Sequence, residues 1–131
     1  MKCLDSNILI DILRGDKYAE KIVDDLDEEG GAVTTVINAY EILFGANKSY
    51  DKDNNVKEAR RLLSKFDILS MNTEAAEIAS DIHARLSKEG NLIDIRDIFI
   101  GAIALSHGCN TLITRNEKDF SRIKGLKIQK L

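Results

Sequence analysis

The chain has 131 residues, two cysteines, no proline and a formal net charge of −3. That length predicts a single domain spanning 1–131, large enough to fold without disulfides or a structural metal. An apolar content of 44% beside 31% charged residues excludes a disordered or fibrous chain. No apolar run approaches the roughly 20 residues of a membrane helix, and the negative net charge argues against capture of nucleic acid across the whole surface.

The elements follow in order. Met1–Leu4 is a short apolar strand. Asp5, Ser6 or Asn7 caps the helix behind it, whose stripe is Ile8, Leu9, Ile12 and Leu13 and whose stop is Gly15. The stretch carries Asp5 and lacks a signal-peptide pattern, so the expected location is the cytoplasm. Cys3 reads as a small core residue of this strand. A second helix covers Asp16–Asp27, with Ala19, Ile22, Val23 and Leu26 at helical spacing. Ala32–Thr34 reads as a buried strand, and Thr34 or Thr35 caps a strongly apolar helix from Val36 to Ala46. Asn47–Asn55 is polar and predicts a surface connection, with a helix from Val56 to Phe66 after it. Ile68–Leu69 is a candidate strand, and Thr73 caps a long helix that Gly90 stops. Asp94 or Asp97 opens the next helix, which ends at Gly108. Thr111–Thr114 is a strand, Asn116–Phe120 a short turn or helix, and Lys127–Ile128 a final edge strand. Short strands alternating with helices predict an α/β fold in three layers. Its sheet holds about 4–5 mostly parallel strands between helices.

Against this frame three acids stand out. Asp5 falls at the carboxyl end of the first strand, Glu41 lies inside VINAYEILFGA, and Asp97 opens DIFIGAIAL. An unpaired carboxylate in such surroundings costs several kcal/mol. Each has an ordinary explanation: Asp5 and Asp97 as helix caps, Glu41 paired with Arg96 or Arg115. A shared divalent cation would serve all three together. Ligands in doubly wound sheets bind beyond the carboxyl ends of the strands, where strand order reverses. Asn116 and Asp119 follow the strand ending at Thr114, so they reach the same cleft if that strand neighbours the first. An all-oxygen set selects Mg²⁺, with Mn²⁺ as a substitute, over zinc. Two such ions roughly 4 Å apart can drive in-line phosphoryl displacement without a side-chain nucleophile. The C-terminal stretch from Arg115 to Lys130 is locally basic, and Arg115, Lys118 and Arg122 are candidates to hold a nucleic-acid backbone.

LDSNILID (Leu4–Asp11), YEILFGA (Tyr40–Ala46), DIFIGAIALSHG (Asp97–Gly108) and LITRNEKDF (Leu112–Phe120) resemble, in order, the four motifs of PIN domains. The likeness is greatest to VapC-type toxins. It implies Mg²⁺-dependent cleavage of RNA, a homodimer, and a cognate antitoxin that places a segment on the toxin. It also implies acidic metal-site roles for Asp5, Glu41 and Asp97, with the fourth position at Asn116 or Asp119. Ser6, Asn7 and Thr114 would support those ligands from behind. Gly101 matches a small-residue position where the helix packs closely. A PIN-like module that binds RNA or protein without cutting is the alternative. A phosphoacceptor receiver domain is disfavoured, because it needs a lysine after a later strand.

Overall fold

The first strand, β1 (Lys2–Leu4), turns at Asp5 directly into α1 (Ser6–Leu13). The computed structural model describes residues 1–130. The chain continues through α2 (Lys17–Glu28), β2 (Ala32–Thr35), α3 (Val36–Asn47), α4 (Lys52–Leu63) and β3 (Asp67–Leu69). It then forms α5 (Thr73–Glu89), α6 (Ile95–Ser106), β4 (Thr111–Ile113), α7 (Glu117–Phe120) and β5 (Lys127–Gln129). The five strands form one sheet in the order β3-β2-β1-β4-β5, and every pair is parallel. The expected three-layer α/β architecture is the one adopted.

The period-two alternation of strand side chains divides the core into two layers. Cys3, Val33 and Leu112 face α5 and α6, where they meet Ile82, Leu86, Ile98 and Ile100. Leu4, Ala32 and Ile113 face the other way, onto Ile8 and Leu9 of α1, Leu26 of α2, Ile42 of α3 and Leu62 of α4. The register Cys3↔Leu112 and Leu4↔Ile113 keeps these sets in phase. Burying each of the valine, leucine and isoleucine side chains among these contributes roughly 1.5–3 kcal/mol. Gly101, inside α6, lets the helix close on the segment after α7. A Cβ there would lie 2.6 Å from Ile123 Cδ1. No helix among the described residues is long and apolar enough to cross a membrane.

Three local expectations change. The helix expected at Val56–Phe66 is α4, and it begins at Lys52 and ends at Leu63. Its first turn, Lys52–Asn55, is almost wholly solvent-facing, so the turn carries no apolar signal. Asn72, rather than Thr73, caps α5, its side chain accepting from the Ala75 N–H at 2.8 Å. Finally, α3 is not buried all round. Val36, Tyr40 and Phe44 recur at helical spacing and stay exposed, with the two aromatic rings stacked 5.9 Å apart.

The cap of α2 gives a simple test. Asp16 accepts from the backbone of Tyr18 and Ala19. Asp16→Ala is expected to cost about 1 kcal/mol, seen as a lower urea midpoint with an unchanged m-value.

Strand order positions the site. From β1 the chain builds β2 and β3 to one side, then returns to lay β4 and β5 on the other. The reversal lies between β1 and β4, so Asp5 and Thr114 leave neighbouring strands at the same end of the sheet.

Candidate active site

Asp5 is the innermost acid, only 6% exposed. It is the N-cap of α1, accepting from the Ser6 N–H at 2.9 Å. Its other contacts go beyond a cap. Thr114 Oγ1 donates to Asp5 Oδ2 at 2.6 Å, and Asn38 Nδ2 donates to Asp5 Oδ1 at 3.1 Å. Asn7 Nδ2 lies 3.5 Å from Oδ2 and 3.4 Å from Thr114 Oγ1. A relay leads outward. Asn38 Nδ2 donates to Ser6 Oγ at 2.9 Å, and Ser6 Oγ donates to Glu41 Oε1 at 2.8 Å. Across the cleft, Asn116 Nδ2 reaches Asp97 Oδ2 at 3.3 Å and Asp119 Oδ2 at 3.2 Å. The Asn116 N–H donates to Thr114 Oγ1 at 3.0 Å, joining the two halves. Side chains from both ends of the chain thus share one polar network at the strand-order reversal.

The ordinary explanations hold only in part. Asp94, not Asp97, caps α6, accepting from the Arg96 N–H at 2.8 Å. Asp97 is therefore free of capping duty. Glu41 does meet Arg96, Nη1 to Oε2 at 3.4 Å. Arg115 instead pairs with Asp11 of α1, a mostly buried carboxylate. Among the described residues, Asp5, Asp97 and Asp119 touch no cationic side chain.

The electrostatic consequence is concentrated on Asp97. Burial, then the charges of Asp5, Asp94, Glu41 and Asp119, push its carboxyl up to about 7. Burial also raises Glu41; the Ser6 hydrogen bond and Arg96 oppose the rise, while Asp5 adds to it. Asp94 goes the other way, lowered by its hydrogen bonds from Arg96.

As the side chains stand, no three of the described acids, histidines or cysteines close around one point. Each carboxylate is instead turned to its own neutral donors or, for Glu41, to Ser6 and Arg96. The chemistry of the set still fits Mg²⁺ or Mn²⁺. These ions take hard oxygen ligands, and Mg²⁺ keeps most of its waters, binding through one or two carboxylates. Asn7 Oδ1, beside Asp5 and Thr114, is buried without a hydrogen-bond partner. Such an atom suits a cation-bound water.

The basic candidates are placed differently from one another. Arg115 is held by Asp11. Arg122 donates to the carbonyls of Asn91 and Leu92, fastening the loop between α5 and α6. Lys118 is exposed on α7 and makes no ion pair. His83 is exposed, and His107 contacts the Ser70 carbonyl at 2.9 Å.

Asn38 is the residue that sequence reasoning passed over. It is fully buried and completes a capping box with Thr35 while serving Asp5 and Ser6. Thr35-x-x-Asn38 before an apolar run was a readable signal. The sequence offers Asp94 as a cap or a group behind the metal site and Arg96 as a counter-ion of Glu41; their joint placement beside the acids needed coordinates.

This combination, a parallel sheet reversing at its centre with acids gathered there, defines the fold class. The chain belongs to the PIN domain family, whose model matches residues 2–126. Its relatives are VapC nucleases. It is 31% identical to "Ribonuclease VapC2" of Haemophilus influenzae over 127 residues, 96% of this chain and 94% of the relative. It is 30% identical to a "tRNA(fMet)-specific endonuclease VapC" of Salmonella typhimurium over 93 residues, 71% of this chain and 70% of the relative. A solved structure, described as DNA-bound VapBC from Salmonella typhimurium, superposes with a TM-score of 0.87 at 26% identity, covering 98% of this chain and 96% of that one.

Proposed function

We propose that the chain is the ribonuclease toxin of a toxin–antitoxin pair, hydrolysing RNA phosphodiesters with a divalent cation held by Asp5, Glu41 and Asp97. Asp119 is the fourth acid. Asn116 turns its amide N–H groups toward Asp97 and Asp119, which suits a bridge that orients both. The observation that carries the reading is Asp97. A half-buried carboxyl, pushed up to about 7 by burial and then by four neighbouring acids, and paired with no cationic side chain, sits where a divalent charge would be favoured. The nuclease names of the relatives supply the reaction class.

Bound Mg²⁺ or Mn²⁺ would supply charge for the phosphoryl oxygens and lower the pKa of a water. The protein's own groups do the positioning. Thr114 and Asn38 fix both oxygens of Asp5. Asn38 orients Ser6, which donates to Glu41, so α1 and α3 are locked to one another at the site. Lys118, exposed on the helix that carries Asp119, is the simplest of the basic candidates to meet an RNA backbone.

The likeness to VapC proteins also supports an antitoxin partner, a homodimer and a cytoplasmic setting. A groove of about 450 Å³ runs between α1, α3 and α4, lined by Ile10, Leu13, Ile42 and Ala46 and reaching Glu41. An antitoxin segment lying there would abut the acids. The exposed stripe of Val36, Tyr40 and Phe44 is the kind of patch a second copy covers.

The test uses purified protein freed of antitoxin and incubated with transfer RNA. Cleavage is expected with Mg²⁺ or Mn²⁺, is lost in EDTA, and returns when Mn²⁺ is added in excess. Equal cleavage in EDTA would sink the metal mechanism. Tight RNA binding without cleavage, for a panel of transfer, ribosomal and messenger RNAs, would instead favour the binding-module alternative.

A further inference from the structure

We propose that Arg96 is a substrate-binding residue: Asp94 holds its guanidinium at the mouth of the acidic cleft, and a divalent cation entering the cleft frees it from Glu41 to take an RNA phosphate. This rests on the function proposed above.

The two contacts of Arg96 are unequal. Asp94 caps α6, and the same carboxylate takes Arg96 Nε at 3.1 Å and Nη2 at 2.9 Å. That is a fork-on-fork pair, the geometry that orients a guanidinium best. The contact with Glu41 is a single one, from Nη1, at 3.4 Å. Asp94 belongs to the helix start itself, so the anchor moves only if α6 moves. Arg96 is half exposed while the Glu41 side chain is 22% exposed. The guanidinium therefore lies over the acids, with solvent-side N–H groups left to donate.

A cation bound to Glu41 and Asp97 would compensate the charge that draws Nη1 inward. It would leave the Asp94 fork untouched. Arg96 would then present Nη1 and its remaining donors at the cleft mouth, free to take an incoming phosphate. Planar bidentate recognition of phosphate is what guanidinium does best. The other arginines by the cleft are already committed, Arg115 to Asp11 and Arg122 to backbone carbonyls. Arg96 is the one whose second contact is weak. Without it, RNA approaching this rim meets Asp94, Asp97 and Glu41 with only the ion to offset them. Asp94 is a positioning residue, acting through Arg96.

The same geometry makes Arg96 a competitor of the ion, and this separates the proposal from a merely structural role. Arg96→Gln in the full chain is expected to tighten Mn²⁺ binding, followed by the electron paramagnetic resonance of the free ion, by about 3–10-fold, since a nearby positive charge is removed. The KM for transfer RNA in saturating Mn²⁺ should rise about tenfold while kcat stays within about threefold. The slope of log KM against log salt should fall by about 1. Arg96→Lys should restore that slope but only part of the KM. Asp94→Asn keeps a good cap and loosens the fork, so its KM should fall between wild type and Arg96→Gln.

Arg96→Gln with wild-type Mn²⁺ affinity and KM overturns the assignment, as does weaker Mn²⁺ binding with a lowered melting temperature, which marks a structural ion pair. A wild type that binds Mn²⁺ and cuts RNA while these variants behave alike removes this assignment alone. A wild type that neither binds Mn²⁺ nor cuts removes the proposed function and this assignment with it.

Discussion

Asp97→Asn is expected to reduce RNA cleavage at least about 100-fold and, in the same protein, to raise the melting temperature without metal. The two effects share one cause. Asp97 is held at about 7 by burial and by its acidic neighbours, against an ordinary 3.8. Between those values the folded chain binds more protons than the unfolded one, so metal-free stability falls as pH rises through that window. The full shift would correspond to about 4 kcal/mol. Asp97 opens to a wet cleft, and screening reduces this to about 1–2 kcal/mol. Metal-free wild type should therefore melt several degrees lower at pH 8 than at pH 5. The substitution should remove most of that difference, and saturating Mn²⁺ should remove it from the wild type. The measurement is a set of thermal melts at both pH values, with and without Mn²⁺. A variant that cuts at the wild-type rate, or one that melts lower than wild type at pH 8, contradicts the assignment.

Asn38→Ala should be the costliest single change in the polar network, destabilising the protein by about 2–4 kcal/mol. Asn38 is fully buried. Its removal strips a donor from Asp5 and from Ser6, breaks the capping box with Thr35, and leaves a small cavity. Urea denaturation gives the loss directly. Activity should fall beyond what unfolding explains, because Ser6 no longer has the partner that aims it at Glu41. Asn38→Asp separates the contributions. It keeps the volume and the acceptor for Thr35 but sets a new charge against Asp5. Its instability should be greatest at high pH without metal and should lessen in Mn²⁺. A loss below about 1 kcal/mol for Asn38→Ala would show that the network is dispensable.

How much of this was legible in the sequence follows from which physical signal each residue carries. The strands and the apolar helices were readable because their hydrophobic periods are short and regular. Cys3 and Leu4 alternate between two cores as a strand with both faces buried must. Asp5, Glu41 and Asp97 were readable because a carboxylate in an apolar stretch needs a reason. The start of α4 was not. Lys52, Asp53 and Asn54 face water on a helical turn, and a solvated turn of helix has the composition of a loop. The exposed side of α3 was misleading for the opposite reason. Tyr40 and Phe44 face outward, so apolar composition there does not mean burial. Pairings across long separations could be listed as options but not chosen. Arg96 and Arg115 were equal candidates for Glu41, and only the packing of α1 against the end of β4 delivers Arg115 to Asp11.

The middle strand of the sheet is made from residues 2–4, yet one of its two neighbours, β4, comes from residues 111–113. A ribosome that has translated as far as α4 has made Asp5, Asn38 and Glu41 but not Thr114, Asn116 or Asp119. A nascent chain therefore cannot assemble the cleft; the long loop closure that joins β4 to β1 has to come late, and such distant pairings form slowly. For a protein whose catalysis would endanger the cell that makes it, the topology itself delays the hazard until β4 and α7 have been made.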